Sequence, residues 1–211
     1  MKIKNHVILK HSAIWMALLL MPISYGNASS VREVSLNEML QQSQFVFEGT
    51  VTAIEARENS QKRIHTYVTF EIKDIIKGEY HSNVITLSFL GGTVGDVTMA
   101  VSDMRLPQEG EHGIYFVESL ERLQVHPLYG WSQGHFIVER DVTGSERIMT
   151  NRRLPITAVM DTMQDEQMTP GKESKQALSK GVVRDFVVAQ DKKGLTVDEF
   201  KRVLHERIGR K

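Results

Sequence analysis

Ser132 stands in the pentapeptide Gly130-Trp131-Ser132-Gln133-Gly134, which spells the Gly-x-Ser-x-Gly pattern of a serine nucleophile. That chemistry needs a strand before the serine and a helix after it. The strained turn between them lifts the hydroxyl toward a histidine that an acid orients. Here Pro127 lies close upstream and an alternating run, His135 to Val138, follows. The context therefore predicts a glycine-flexed turn feeding an edge strand, and hydrolysis through Ser132 is kept as an alternative reading only.

The other reactive side chains are scattered. Beyond residue 28 the histidines are His65, His81, His112, His126, His135 and His205, and no pair has His-x-His or His-x-x-x-His spacing. His205-Glu206 lacks the second histidine that a helical zinc site places four residues on. The chain has no cysteine. Thiolate catalysis, cysteine-ligated zinc and disulfides are thereby excluded. Gly91-Gly92 is followed by no Gly-Lys-Ser/Thr and reads as a tight turn rather than a phosphate loop. Asp96, Asp103, Glu109 and Glu111 read as surface acids. Neither a metal nor a cofactor is expected, and no catalytic residue is assigned.

A binding surface is the better-supported reading. Tyr129, Trp131, Gln133 and His135 fall within Tyr129 to Phe136, where aromatic rings alternate with amide and imidazole groups. Such rings give large contact area at low entropic cost, which suits a protein or a sugar ligand. The competing reading makes Trp131 and Phe136 plugs at one end of a β core.

The elements that would carry this surface begin after an export signal. Lys2, Lys4 and Lys10 precede the apolar run Ala13 to Ile23, and a small, polar stretch ends in Gly26-Asn27-Ala28. This order is that of a secretory signal with cleavage after Ala28, giving a periplasmic or secreted protein. As a helix the run spans about 16 Å, against roughly 30 Å of hydrocarbon, so no membrane anchor is expected after cleavage. The first 28 residues hold three lysines and no acid. The 26 basic and 26 acidic residues thus become 23 and 26, a formal charge of −3. A mildly acidic chain has no general attraction for nucleic acid.

Ser35-Leu36-Asn37-Glu38 is a capping box that predicts a short helix to about Gln42. Phe45, Phe47, Gly49, Val51 and Ala53 then alternate with Glu48, Thr50 and Thr52; Val46 and Ile54 break the pattern, which predicts cover on both faces. Ile64 to Lys73 alternates most clearly, and Ile75-Ile76-Lys77-Gly78 marks a bulge or sharp coil. Further strands are expected at Val84 to Leu90, Val94 to Val101, Gly113 to Leu120, His135 to Arg140 and Arg147 to Thr150, the last two joined by a turn at Asp141 to Gly144. Residues 151–194 read as a polar linker or long loop. Thr196-Val197-Asp198-Glu199 caps a final helix over 195–211, whose stripe Val197, Phe200, Val203, Leu204 and Ile208 is expected to dock on its own domain.

The order of Phe45-Val46-Phe47-Glu48-Gly49-Thr50-Val51, Tyr67 to Ile72 leading to Ile76-Lys77-Gly78, and Glu109-Gly110-Glu111 before Ile114 to Val117 resembles the netrin-like module of tissue inhibitors of metalloproteinases and complement proteins. It is similar also to exported bacterial proteins without an assigned role. The netrin-like resemblance covers roughly 45–138. It implies a five-stranded OB-type barrel, a binding role and, more weakly, a secreted protease as partner. The cysteine with which those inhibitors chelate the protease zinc is missing, so zinc-chelating inhibition does not carry over. The expectation is a mainly β protein: a small antiparallel OB-like barrel over 29–150 with a short N-terminal helix and a C-terminal amphipathic helix. Its expected function is non-catalytic binding of a protein or peptide. Oligosaccharide binding through the same aromatics is a further alternative, and the oligomeric state is not legible.

Overall fold

The computed structural model describes residues 32–102, 104–160, 186–188 and 193–209. The expected export signal and the middle of the expected linker lie outside the described residues. Ser35 caps the first helix, α1 (Leu36–Gln42), its hydroxyl accepting from the Glu38 amide. The box is half-used, because the Glu38 carboxylate turns to Arg32 and to the Tyr129 hydroxyl instead of back to the cap.

Two long strands follow, β1 (Phe45–Glu58) and β2 (Ile64–Lys77), paired antiparallel over their whole length. Their register slips three times, leaving Thr52 of β1 and Lys73 and Ile76 of β2 without an opposite residue. Each extra residue bends the ribbon and re-aims its side chains. The bulge expected near Ile75–Gly78 is the one at Ile76. β3 (Val84–Leu90) pairs with β2, and a small hairpin, β4 (Gly92–Val94) and β5 (Val97–Met99), comes next. The single strand expected from Val94 to Val101 is thus broken at Gly95, whose φ of 57° makes the turn.

β6 (His112–Val117), β7 (His135–Arg140) and β8 (Glu146–Thr150) complete a six-stranded antiparallel sheet in the order β3-β2-β1-β6-β7-β8. β7 is consequently an inner strand, not an edge, because β8 pairs with it from Phe136 to Arg140. The same pairing explains why the sheet does not close among the described residues. A five-stranded barrel would need β7 to meet β3, and β8 already occupies that edge of β7. The ends of the expected linker are structured: β9 (Ile156–Val159) pairs with β10 (Phe186–Val188). The last helix, α2 (Val197–Gly209), starts at a complete capping box in which Thr196 and Glu199 exchange hydrogen bonds of 3.1 and 2.8 Å.

Strand alternation divides the apolar residues between the two faces of the sheet. Val46, Ile114, Phe116, Phe136 and Ile148 face α1, α2 and the β9–β10 pair, so Phe200 and Leu204 are fully buried and the helix docks on its own sheet. Phe45, Phe47, Val51, Phe70, Leu87, Phe89 and Tyr115 pack together on the other face. Among the described residues no helix is long and apolar enough to cross a membrane.

Candidate binding site

The aromatic turn is built by two left-handed residues in succession. Gly130 and Trp131 have φ of 66° and 58° and lead into a single 3-10 turn, Trp131–Gly134. A Cβ on Gly134 would lie 2.4 Å from the Tyr129 carbonyl oxygen, so the turn can close only over glycine there. The two glycines of the apparent serine motif are thus accounted for by backbone geometry. Ser132 makes no hydrogen bond to any histidine among the described residues.

The four residues expected to bind a partner are engaged within the chain. Gln133 is buried; its Oε1 accepts from the Val34 amide at 3.0 Å and its Nε2 donates to the Arg32 carbonyl at 2.9 Å. Tyr129 donates its hydroxyl to Glu38 at 2.7 Å. Together they tie the segment before α1 and its first turn to the β6–β7 connection, across about a hundred residues of sequence. His135 is buried and pairs through Nε2 with Glu111 Oε1 at 2.6 Å. Trp131 is half-buried and stacks on His126 at 5.7 Å with an interplanar angle of 10°. Tyr129 and Trp131 keep some exposure, whereas Gln133 and His135 face inward. Trp131→Ala is expected to cost about 1–2 kcal/mol, the share of a large side chain's burial that a half-buried ring supplies. Urea unfolding of the variant measures it; an unchanged midpoint would show that the ring covers nothing of consequence.

Beneath this turn lies a polar group inside the apolar face. His126 Nδ1 accepts from the Leu128 amide at 3.2 Å, so the ring proton sits on Nε2. Phe89 meets the imidazole edge-on at 5.0 Å. Burial pushes the His126 imidazole down to about 3, with nearby His135 adding to the shift, so it is neutral at ordinary pH. Tyr115 stacks on His135 at 5.2 Å, and burial together with the Glu111 carboxylate raises its phenol well above the ordinary value. None of these histidines or acids falls into a metal-binding group among the described residues.

A second cluster, which the sequence reading missed, lies on the helix-facing side. Glu48 belongs to the same face of β1 as Val46 and is buried by α2. Its carboxylate accepts from His112 Nε2 at 2.9 Å, Lys73 Nζ at 2.8 Å and Lys201 Nζ at 2.8 Å. Lys201 also reaches Asp74 at 2.6 Å, and Lys73 reaches Glu146 at 3.5 Å. The bulge at Lys73 makes this possible, since it lets neighbouring residues 73 and 74 both serve the same network. Burial alone would raise the Glu48 carboxyl, but the three donors outweigh it and hold it far below the usual carboxylate range. A polar cleft of about 530 Å³ opens beside it, lined by Arg140, Ser145, Glu146, Asp198 and Lys201 among others. Glu48, Lys73, Arg140, Glu146 and Lys201 each have a charged partner, and the Lys201 contacts with Glu48 and Asp74 lock α2 to the sheet.

A second concavity runs along the outer edge of β3. Ile72 N donates to Asn83 O, and Leu90 N turns away from β2 to Val125 O. In an antiparallel ladder this parity sends the amides and carbonyls of Thr86 and Ser88 away from β2. Among the described residues those outward groups make no hydrogen bond. The facing wall is the segment Ser119 to Pro127, held by Leu120 N to Gln44 Oε1 at 2.9 Å and Glu118 N to Pro127 O at 2.9 Å. Between strand edge and wall lies a groove of about 240 Å³, lined by Tyr80, Ile85, Leu87, Leu120, Leu123 and Pro127 together with polar residues. Leu123 is 81% exposed beside it, and Val84 and Val125 are exposed as well.

The fold and its surfaces define a mainly β module in which, among the described residues, the outer edge of β3 is left unpaired beside a groove of mixed apolar and polar lining. Comparison of the chain with protein-family models, curated proteins and solved structures finds no match.

Proposed function

We propose that this chain is an exported, non-catalytic binding module that takes an extended segment of a protein partner onto the free edge of β3. The observation that carries the reading is the pairing of two features in one place: outward backbone groups at Thr86 and Ser88 without a hydrogen bond among the described residues, and a groove running beside them with Ile85, Leu87, Leu120, Leu123 and Pro127 in its lining. An added strand would satisfy the backbone groups, and its alternate side chains would enter the groove. Natural sheets seldom leave such an edge flat and open without charge, proline or cover. Val84 to Leu90 carries neither charge nor proline.

The OB-type likeness belongs to the same proposal. Two long, bulged strands that coil over one aromatic face support it, and so does the resemblance in motif order. Export is likewise proposed from the lysines, apolar run and small residues of 1–28. A secreted protease is the partner class that the resemblance brings in.

Proline at an edge position is tolerated where its lost N–H faced outward. Thr86→Pro removes one outward donor and leaves the ladder to β2 intact, so its melting temperature should stay near that of the parent. Peptides selected from a random displayed library on the parent protein should lose at least tenfold in affinity for the variant. Selected peptides that bind Thr86→Pro as tightly as the parent would overturn the edge as the binding site.

A further inference from the structure

We infer that the segment taken up by β3 is cationic: an extended peptide with apolar residues at alternate positions and lysine or arginine between them. This rests on the strand-edge reading above and adds the chemistry of the partner. Residues facing each other across a ladder share a face of the sheet. The partner's residues opposite Ile85 and Leu87 therefore enter the groove, against Tyr80, Leu120 and Leu123. Those at intervening positions share the outward face of Val84, Thr86 and Ser88, which continues across β2 to Glu71 opposite Val84.

The charges around the groove sum to an excess of negative charge. Arg122 is the sole cation lining it among the described residues, and it is taken by Glu118 at 3.4 Å. Glu121 lines the groove, Glu79 precedes Tyr80, and Glu71 closes the Val84 end; all three are exposed and none has an ion-pair partner among the described residues. The Gln124 Oε1 atom, buried in the groove wall, accepts no hydrogen bond. Acceptors and negative charge thus line a path whose strand edge supplies both donors and acceptors. Complementary potential of this kind selects partners and steers their approach.

The test uses the full exported chain and two fluorescein-labelled eight-residue peptides, one alternating valine with lysine and the other alternating valine with glutamate. Fluorescence anisotropy at physiological salt should show the lysine peptide binding at least tenfold more tightly. Thr86→Pro should abolish that binding, and Glu121→Lys with Glu71→Lys should remove the preference. Equal binding of both peptides, lost from both in Thr86→Pro, would overturn the charge inference and leave strand capture standing. Binding of the lysine peptide that survives Thr86→Pro would overturn strand capture itself. So would binding of neither peptide, or a dimer in sedimentation that Thr86→Pro converts to monomer, which would make a second copy the occupant.

Discussion

Glu48→Gln is expected to destabilise the protein by about 3–5 kcal/mol, the range for breaking a buried ion network by removing one partner. Glutamine has the same shape, so packing under α2 is kept and the loss reports charge. Lys73 and Lys201 would then face an amide dipole where they had faced a carboxylate; that carboxylate is the main cause raising the Lys73 ammonium pKa, and it raises that of Lys201 after Asp74. Each retains a second acid, Glu146 or Asp74, which places the loss toward the lower end of the range. The sign with pH follows from the depressed Glu48 value. Its contribution is fully present above the unfolded glutamate pKa of about 4.3 and is lost as pH falls through the folded value. Lys201→Met should cost clearly less in the Glu48→Gln background than in the parent, because the two residues share one interaction. Denaturant unfolding of the four proteins in this cycle decides it. A Glu48→Gln loss below about 1 kcal/mol, or strictly additive losses, would mean that α2 is held by its apolar stripe alone.

Why the aromatic turn was visible in the sequence and the Glu48 network was not is a matter of strand faces. Where one face of a strand is apolar and the other polar, period-two alternation reads out directly, and Ile64 to Ile72 is legible for that reason. β1 is buried on both faces over its first half, Phe45 to Gly49, and largely exposed from Thr52 on. There Glu48 falls among the polar residues that alternate with Phe45, Phe47 and Val51, while Val46 breaks the pattern and predicts cover on its face as well. That cover buries Glu48, two positions from Val46 on the same face, but the pattern does not tell what pairs with it. The partners Lys73 and Lys201 lie 25 and 153 residues further along, and only a register slip and a docked helix bring them together. No local pattern encodes such a meeting. The turn Tyr129 to Gly134 shows the opposite case. Its glycines and aromatics stand out locally, yet their partners, Val34, Arg32 and Glu38, are distant in sequence, so a surface-like composition serves an internal tie. The groove beside β3 was legible only in part. Val84 to Leu90 was read as a strand with its full bounds, but edge or centre is a property of the sheet order, which depends on β8 capturing β7.

Acid is expected to weaken the protein through His126 at a pH above the window in which Glu48 titrates. In the folded chain the imidazole is held neutral, its pKa pushed down to about 3 by burial, while in the unfolded chain it titrates near 6.5. As pH falls below about 6.5 the unfolded state gains a proton that the folded state refuses, so stability drops by about 1.4 kcal/mol per pH unit until the folded value is reached. Between pH 7 and pH 5 the loss is about 2 kcal/mol, in a window above that of Glu48. The structural reason is local. A proton added at Nδ1 would destroy the acceptor for the Leu128 amide, and the resulting cation would be buried with no carboxylate paired to it among the described residues. Glu111 is the acid within this polar group, and it is already paired with His135. His126→Asn keeps an acceptor for the Leu128 amide and removes the titration. Its stability at pH 7 should fall through lost ring contacts, but its stability between pH 7 and 5 should decline by about 2 kcal/mol less than that of the parent. Chemical denaturation at half-unit pH steps measures both slopes. Parallel curves for parent and variant would show that His126 takes up its proton in the folded state, with Trp131 moving aside, and tryptophan fluorescence recorded in the same titration would then change through that window.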